Sequence, residues 1–135
     1  MDLYNLDSLL SEEQKLIRDT VKTWVNQSIK PVIEDCFVNG KSLDGLASDL
    51  AEIGAFGFIF PEEYGGLNMD FVSYGLLMQE LERGDSSIRV MASIQTSLVM
   101  YAISEFGSSE QKDEYLHKLA SGEYLGAFGL TEPNF

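Results

Sequence analysis

Apolar side chains recur every three or four residues in five stretches of the chain, which is the spacing of amphipathic helices. The first stretch begins at Ser11, which forms a capping box with Gln14 three residues later. Its apolar face then carries five side chains: Leu16, Ile17, Val21, Trp24 and Val25. We expect Pro31 to bend or break this helix, and Gly40 to end the helical segment that follows.

Two further helices are separated by a long loop. The second helix stops at Gly54, and its apolar positions are Leu43, Leu46, Leu50 and Ile53. Glycine, proline and aromatic residues over 54–67 predict an ordered loop. The third helix is expected to end at Gly84, and its face is formed by Phe71, Tyr74, Gly75, Met78 and Leu81.

The last two helices follow directly. Asp85 can cap the fourth, which runs to Phe106 and has apolar residues on more than one side, among them Val90, Ile94 and Tyr101. A buried helix is therefore predicted, because the uncharged stretch 90–104 is too short and too polar for a membrane span. Ser108 and Gln111 form a second capping box, which opens a fifth helix that ends before Gly122.

The C-terminal residues show a different pattern. Residues 122–127 alternate in a way that predicts a strand, and Pro133 with Asn134 marks a turn after it. The pattern as a whole predicts an all-α helical bundle over residues 1–122 and a short strand-like tail over 123–135.

Composition narrows the range of partners. The 135 residues are enough for one domain, and 22 acidic against 9 basic residues give a net charge of −13. This field repels phosphate backbones and anionic lipids, so we expect neither nucleic-acid nor membrane binding, and an anionic ligand needs a local cation. Cys36 is the single cysteine, and the first ten residues lack the basic start of a signal peptide. We therefore expect a reducing, cytoplasmic location.

Several chemistries are excluded by the residues at hand. One histidine and one cysteine cannot form a zinc site, and neither glycine-rich phosphate-binding motif occurs. His117 lies off the apolar face of its helix and is expected in solvent, whereas Trp24 is expected to pack in the core.

Arg89 lies in a first helical turn, where the macrodipole disfavours a cation. A pair with Asp85 four residues earlier, worth roughly 0.2–0.5 kcal/mol, is a sufficient explanation for Arg89.

Two segments carry a resemblance to a known family. Phe128-Gly129-Leu130-Thr131-Glu132-Pro133 resembles the flavin-contacting segment of acyl-CoA dehydrogenases. The helical residues 74–83, together with 85–89, resemble the glutaryl-CoA dehydrogenase branch of that family. The resemblance extends from Leu6 to Phe135, and the motif becomes specific when it is combined with these helices.

The resemblance implies a role for four residues near the start of the fourth helix. It implies that Arg89 binds the far carboxylate of the substrate, through the planar fork that suits carboxylates. Glu82 lies beside this arginine in the family, and the positions of Val90 and Ile94 line the acyl pocket. Val90 stands where the family usually has a serine, so a carboxylated acyl group is implied more firmly than glutaryl itself.

The resemblance also implies an FAD cofactor. In the family the residues matching Phe128, Gly129, Leu130 and Thr131 face the flavin ring, where hydrogen bonds stabilise the charge of the reduced form. From the residues alone, Thr131 is explained as a turn residue whose hydroxyl caps nearby backbone.

The reaction implied is the α,β-dehydrogenation of an acyl-CoA thioester, with an electron-transferring flavoprotein as acceptor and a homo-oligomeric enzyme. The family's catalytic base is a glutamate in a C-terminal domain, so we expect no catalytic residue in this chain, no metal, and no activity of this segment alone. Three alternatives stay open: a dehydrogenase of acyl-carrier-protein thioesters, an acyl-CoA oxidase, and a helical interaction module without chemistry.

Overall fold

A computed structural model describes residues 4–133. All regular secondary structure in this range is helical, which confirms the all-α fold class. The α-helices are α1 (Glu12–Trp24), α2 (Lys30–Asn39), α3 (Leu46–Glu52), α4 (Phe71–Gly84), α5 (Ser86–Ser93), α6 (Tyr101–Phe106) and α7 (Ser109–Ala120). Short 3₁₀ turns lie at Leu6–Leu9 and Glu62–Tyr64, and π-helical segments at Val25–Ile29 and Ile94–Met100. The described residues divide into two compact units, 4–44 with 69–89 and 45–68 with 90–133.

In the first unit, α1 packs against α4. The predicted capping box at Ser11 is formed, since Ser11 Oγ accepts from the Gln14 backbone N–H and Gln14 Oε1 accepts from the Ser11 N–H. Asp70 caps α4, because its Oδ1 accepts the N–H groups of Val72 and Ser73 at 2.7 and 3.0 Å. The core of this unit is aliphatic and consists of Val21, Val25, Ile29, Leu77, Leu81 and Ile88.

Pro31 does not end the helical backbone. The chain passes from α1 through the π-helical segment into α2, and the Lys30 N–H bonds to the Val25 carbonyl five residues earlier. Proline lacks an N–H and its ring collides with the carbonyl four residues before it, so a wider turn ahead of Pro31 accommodates it. Gly40 ends α2 as predicted, with a φ of 62° and its N–H on the Cys36 carbonyl.

In the second unit the predicted ordered loop over 54–67 supplies much of the core. Phe56, Phe58 and Phe60 are all buried. The loop folds back on itself, because Leu67 N–H bonds to the Gly57 carbonyl at 3.1 Å and the Gly66 backbone lies close to the Phe60 carbonyl. Helical core side chains complete this unit: Leu50, Ala92, Met100, Leu116 and Leu119. The fourth predicted helix ends at Phe106 as expected, and the predicted Ser108–Gln111 box opens α7.

Some expectations are corrected. The strand predicted over 122–127 does not form, since strand hydrogen bonding needs a partner strand and the described residues offer none. The turn expected at Pro133 and Asn134 lies partly outside the described residues. Trp24 is half-buried, and Leu16 on the predicted apolar face is 68% exposed. Among residues 4–133, no helix combines the length and apolarity that crossing a bilayer demands.

Candidate functional site

Arg89 and Glu82 form an ion pair in the first unit. Arg89 lies in the first turn of α5, and its Nε donates to Glu82 Oε2 of α4 at 2.7 Å. Glu82 also accepts the Ser86 hydroxyl at 2.8 Å. The Arg89 hydrogen bond, followed by that of Ser86, lowers the pKa of Glu82 below its ordinary value. The carboxylate that the resemblance placed beside this arginine is thus in contact with it.

Asp85 serves as the cap of α5, as predicted. Its Oδ1 accepts the Ser87 N–H at 2.8 Å and also the Ser87 hydroxyl. The Arg89 Nε lies 2.7 Å from a carboxylate that the spacing alone did not suggest, that of Glu82, seven residues earlier. Glu82 therefore offsets the unfavourable position of a cation in a first helical turn.

Val90 and Ile94 belong to the second unit. Val90 follows Arg89 in α5 and is 37% exposed, while Ile94 begins the π-helical segment and is half-buried. The structure therefore brings Arg89 and Glu82 into contact, and shows Val90 and Ile94 as accessible apolar side chains of a separate unit.

The four residues implied in flavin contact form an exposed segment of the second unit. Phe128 is 49% and Leu130 73% exposed, and Gly129 and Thr131 are exposed as well. A methyl group placed on Gly129 would meet no atom within 4 Å. Leu130 N–H bonds to the Phe128 carbonyl at 3.0 Å, so the segment contains a tight local turn.

Gln95 is a buried polar residue that sequence reasoning did not single out. It lies in the π-helical segment at 2% exposure, and its side-chain amide bonds to the backbone of three residues. The signal for it in the sequence is that it is one of the polar residues that interrupt the uncharged stretch 90–104. Its neighbour Thr96 is fully buried, and its hydroxyl lies 2.9 Å from the Ala92 carbonyl, with the Phe56 and Ala55 carbonyls also within hydrogen-bond distance.

Neither His117 nor the acidic side chains of the described residues form a further candidate site. His117 is exposed, as predicted, and its ring meets the edge of Tyr64 at a centroid distance of 6.3 Å. Across the described part of the chain, histidine, cysteine and carboxylate side chains form no cluster of three that could hold a metal ion.

Comparison with known proteins gives consistent matches along the chain. The model of the acyl-CoA dehydrogenase N-terminal domain matches residues 11–123. The short-chain-specific acyl-CoA dehydrogenase of Clostridium acetobutylicum is 36% identical over 129 residues, which are 96% of this chain and 34% of that protein. Two crystal structures of glutaryl-CoA dehydrogenase from Mycobacterium smegmatis have TM-scores of 0.92 and 0.94 at 46% and 40% identity, and the second is a complex with FADH2.

Each of those two matches covers 99% of this chain, and 35% and 34% of the respective structures. The chain thus spans about a third of the length of the relatives it matches. With its helical architecture and the family model over residues 11–123, the chain belongs to the acyl-CoA dehydrogenase family through that family's N-terminal domain.

Proposed function

We propose that this chain is the acyl- and flavin-binding N-terminal domain of an FAD-dependent acyl-CoA dehydrogenase. The observation that carries the proposal is the match of 99% of the chain, at a TM-score of 0.94, to a structure in complex with FADH2. The reaction is the α,β-dehydrogenation of an acyl-CoA thioester. The resemblance gives the role of catalytic base to a glutamate of the family's C-terminal domain, so we assign no residue of this chain to proton abstraction.

Phe128, Gly129, Leu130 and Thr131 are the residues that we assign to the cofactor. When bound, FAD supplies the acceptor for the hydride that leaves the acyl β-carbon. The exposed backbone of the segment and the open space at Gly129 allow it to lie against the ring. The backbone of this segment and the Thr131 hydroxyl would hold the ring by hydrogen bonds that stabilise the charge of the reduced form.

Arg89 is the residue that we assign to a substrate carboxylate. A chain of charge −13 needs a local cation to hold an anionic acyl group, and the planar guanidinium suits a carboxylate. Glu82 holds the Nε of this guanidinium at 2.7 Å and so restricts its orientation. Val90 and Ile94, accessible apolar side chains of the second unit, are the residues that we assign to the acyl chain, as the resemblance implies. The substrate class is therefore a carboxylated acyl-CoA, with glutaryl-CoA as the first candidate.

The electron acceptor and the oligomeric state are proposed from the same family membership. We propose an electron-transferring flavoprotein as the acceptor and a homo-oligomeric enzyme in the cytoplasm. A dehydrogenase of carboxylated acyl-carrier-protein thioesters would use Arg89 in the same way, and an acyl-CoA oxidase would differ in reducing oxygen. Similarity to the short-chain-specific enzyme of Clostridium acetobutylicum favours the dehydrogenase over the oxidase.

The test uses the intact polypeptide that carries this domain. After purification, the flavin is released by denaturation and quantified, and turnover is measured with carboxylated and unsubstituted acyl-CoA esters and with the matching acyl-carrier-protein thioesters. A dye acceptor and a peroxide assay run in parallel to separate dehydrogenase from oxidase. We expect bound FAD and dye-dependent oxidation of acyl-CoA. Protein that binds no FAD and oxidises none of these thioesters would contradict the proposal and favour a helical interaction module.

A further inference from the structure

Gln95 connects the helical core of the second unit to its C-terminal tail. Its Nε2 donates to the Leu119 carbonyl at 2.9 Å, at the end of α7, and to the Tyr124 carbonyl at 2.8 Å. Its Oε1 accepts the Gly126 N–H at 2.8 Å. One buried side chain therefore bonds to two points of the tail and to the helix that precedes it.

The chemistry of this position requires an amide. A glutamine carries two N–H donors and one carbonyl acceptor, and here two backbone carbonyls and one backbone N–H use all of them. These partners also determine which end of the amide is nitrogen. A glutamate would lose both donors and place a charge against two carbonyls. A leucine of similar size would remove the side-chain partner of three backbone groups, of which the Leu119 bond is buried and the other two are partly buried.

The tail is held closely at Gly126 and lies exposed beyond it. A Cβ on Gly126 would lie 2.5 Å from the Cγ1 of Val99, so the tail backbone passes directly over the π-helical segment. The Tyr124 N–H bonds to the Lys118 carbonyl at 2.9 Å. Phe128 begins only two residues after Gly126, which is at most about 7 Å of chain. The hydrogen bonds of Gln95 thus determine the point from which the exposed segment 128–131 starts.

We propose that Gln95 is a positioning residue for the flavin: it fixes residues 124–126 so that the segment 128–131 is ordered before the cofactor binds. This inference rests on the proposed function of that segment. Without the amide, the tail must be ordered at the moment of binding, and each residue ordered then costs about tenfold in affinity.

The test compares Gln95→Leu with Thr96→Val in the intact protein. Thr96 is the matched control, because it is equally buried in the same π-helical segment and its hydroxyl bonds to the carbonyls of Ala92 and Phe56 rather than to the tail. Two quantities are measured: the dissociation constant of FAD, by titration of the apoprotein, and the hydrogen exchange of the Gly126 amide.

We expect Gln95→Leu to weaken FAD binding by at least about tenfold and to accelerate exchange at Gly126 by a similar factor, with α7 still protected. Thr96→Val should change FAD affinity by less than about threefold. Equal weakening in both variants, or unchanged FAD affinity in a folded Gln95→Leu protein, would overturn the inference.

A second variant changes the tail itself rather than Gln95. Gly126→Ala leaves Gln95 in place but pushes the tail away from Val99, so the same loss of FAD affinity is expected even if Gln95→Leu does not fold. Wild-type affinity in Gly126→Ala would count against the inference. If the wild-type protein binds no FAD, the proposed function itself is refuted. If the wild type binds FAD and the variants bind it with the same affinity, only the role of Gln95 is refuted.

Discussion

Arg89→Lys separates a substrate-binding arginine from one that only stabilises its helix. Lysine keeps the positive charge near Glu82 but loses the planar fork that binds a carboxylate through two parallel hydrogen bonds. Because Arg89 is 35% and Glu82 46% exposed at the side chain, their ion pair is well solvated. We therefore expect the variant to fold with little change in stability.

The size of the kinetic effect follows from the bond that is lost. A hydrogen bond to a charged group contributes about 1.5–3 kcal/mol, which corresponds to roughly ten- to a hundred-fold in kcat/KM. This loss applies to an acyl chain that ends in a carboxylate. An unsubstituted chain of the same length makes no such bond with Arg89, and its kcat/KM should change by less than about threefold.

The assay measures kcat/KM for glutaryl-CoA and for pentanoyl-CoA, which have equal carbon numbers, in the intact wild type and variant. Arg83→Lys is the matched control. Arg83 also pairs with a glutamate of α4, Glu80 at 2.5 Å, and no substrate contact is assigned to it. The control should lower stability, because Glu80 is buried, and should leave the ratio of the two kcat/KM values unchanged. An equal loss on both substrates in Arg89→Lys would refute the assignment.

Three further predictions concern the fold and the ion pair. Asp70→Ala should lower the free energy of unfolding by about 1–2 kcal/mol, since it removes the cap of α4. Hydrogen bonds, first that of the Ser73 N–H, lower the pKa of Asp70, so this stabilisation is present at neutral pH and is lost as the pH falls through the lowered value. Replacing Arg89 by leucine should raise the pKa of Glu82 towards its ordinary value in a carbon-13 NMR titration. Gly66→Ala should disrupt the loop and unfold at much lower urea concentration, because the new Cβ would lie 2.0 Å from a backbone carbonyl oxygen.

Controls for these changes are available in the same chain. Asp113→Ala removes an exposed aspartate from the middle of α7 and should change stability by less than about 0.5 kcal/mol. Gly75→Ala places a methyl group in open space within α4, so it should be neutral or stabilising. Loss of stability in these controls equal to that in Asp70→Ala and Gly66→Ala would show that the structural reasons given for both are wrong. An unchanged Glu82 pKa would show that Arg89 is not the cause of the shift.

Local signals in the sequence predicted much of the fold. The capping boxes at Ser11 and Ser108 and the glycine at position 40 act over three or four residues, so they can be identified without knowledge of the tertiary structure. The π-helical segment before Pro31 could not be identified in this way. Proline excludes an ordinary helical turn, but whether the chain breaks or widens depends on how the flanking helices pack.

In the candidate site, too, the sequence identified what depends on near neighbours and missed what depends on distant ones. Arg89 was singled out from its position in a helical turn, and its pairing with Glu82 came from the resemblance rather than from spacing. Gln95 was missed because its partners lie 24 to 31 residues away, and no local pattern distinguishes such a glutamine from a solvent-exposed one. The tail was expected as a strand because its alternation is local, whereas strand pairing depends on a partner that the described residues do not contain.

Anaerobic addition of glutaryl-CoA to the intact, purified protein tests whether this domain belongs to an enzyme that passes electrons from a carboxylated acyl-CoA to FAD. We expect the visible absorbance of oxidised flavin to disappear on addition of glutaryl-CoA, and Arg89→Lys to need a much higher concentration for the same change. Flavin that stays oxidised with glutaryl-CoA and with every other acyl-CoA ester would contradict this function.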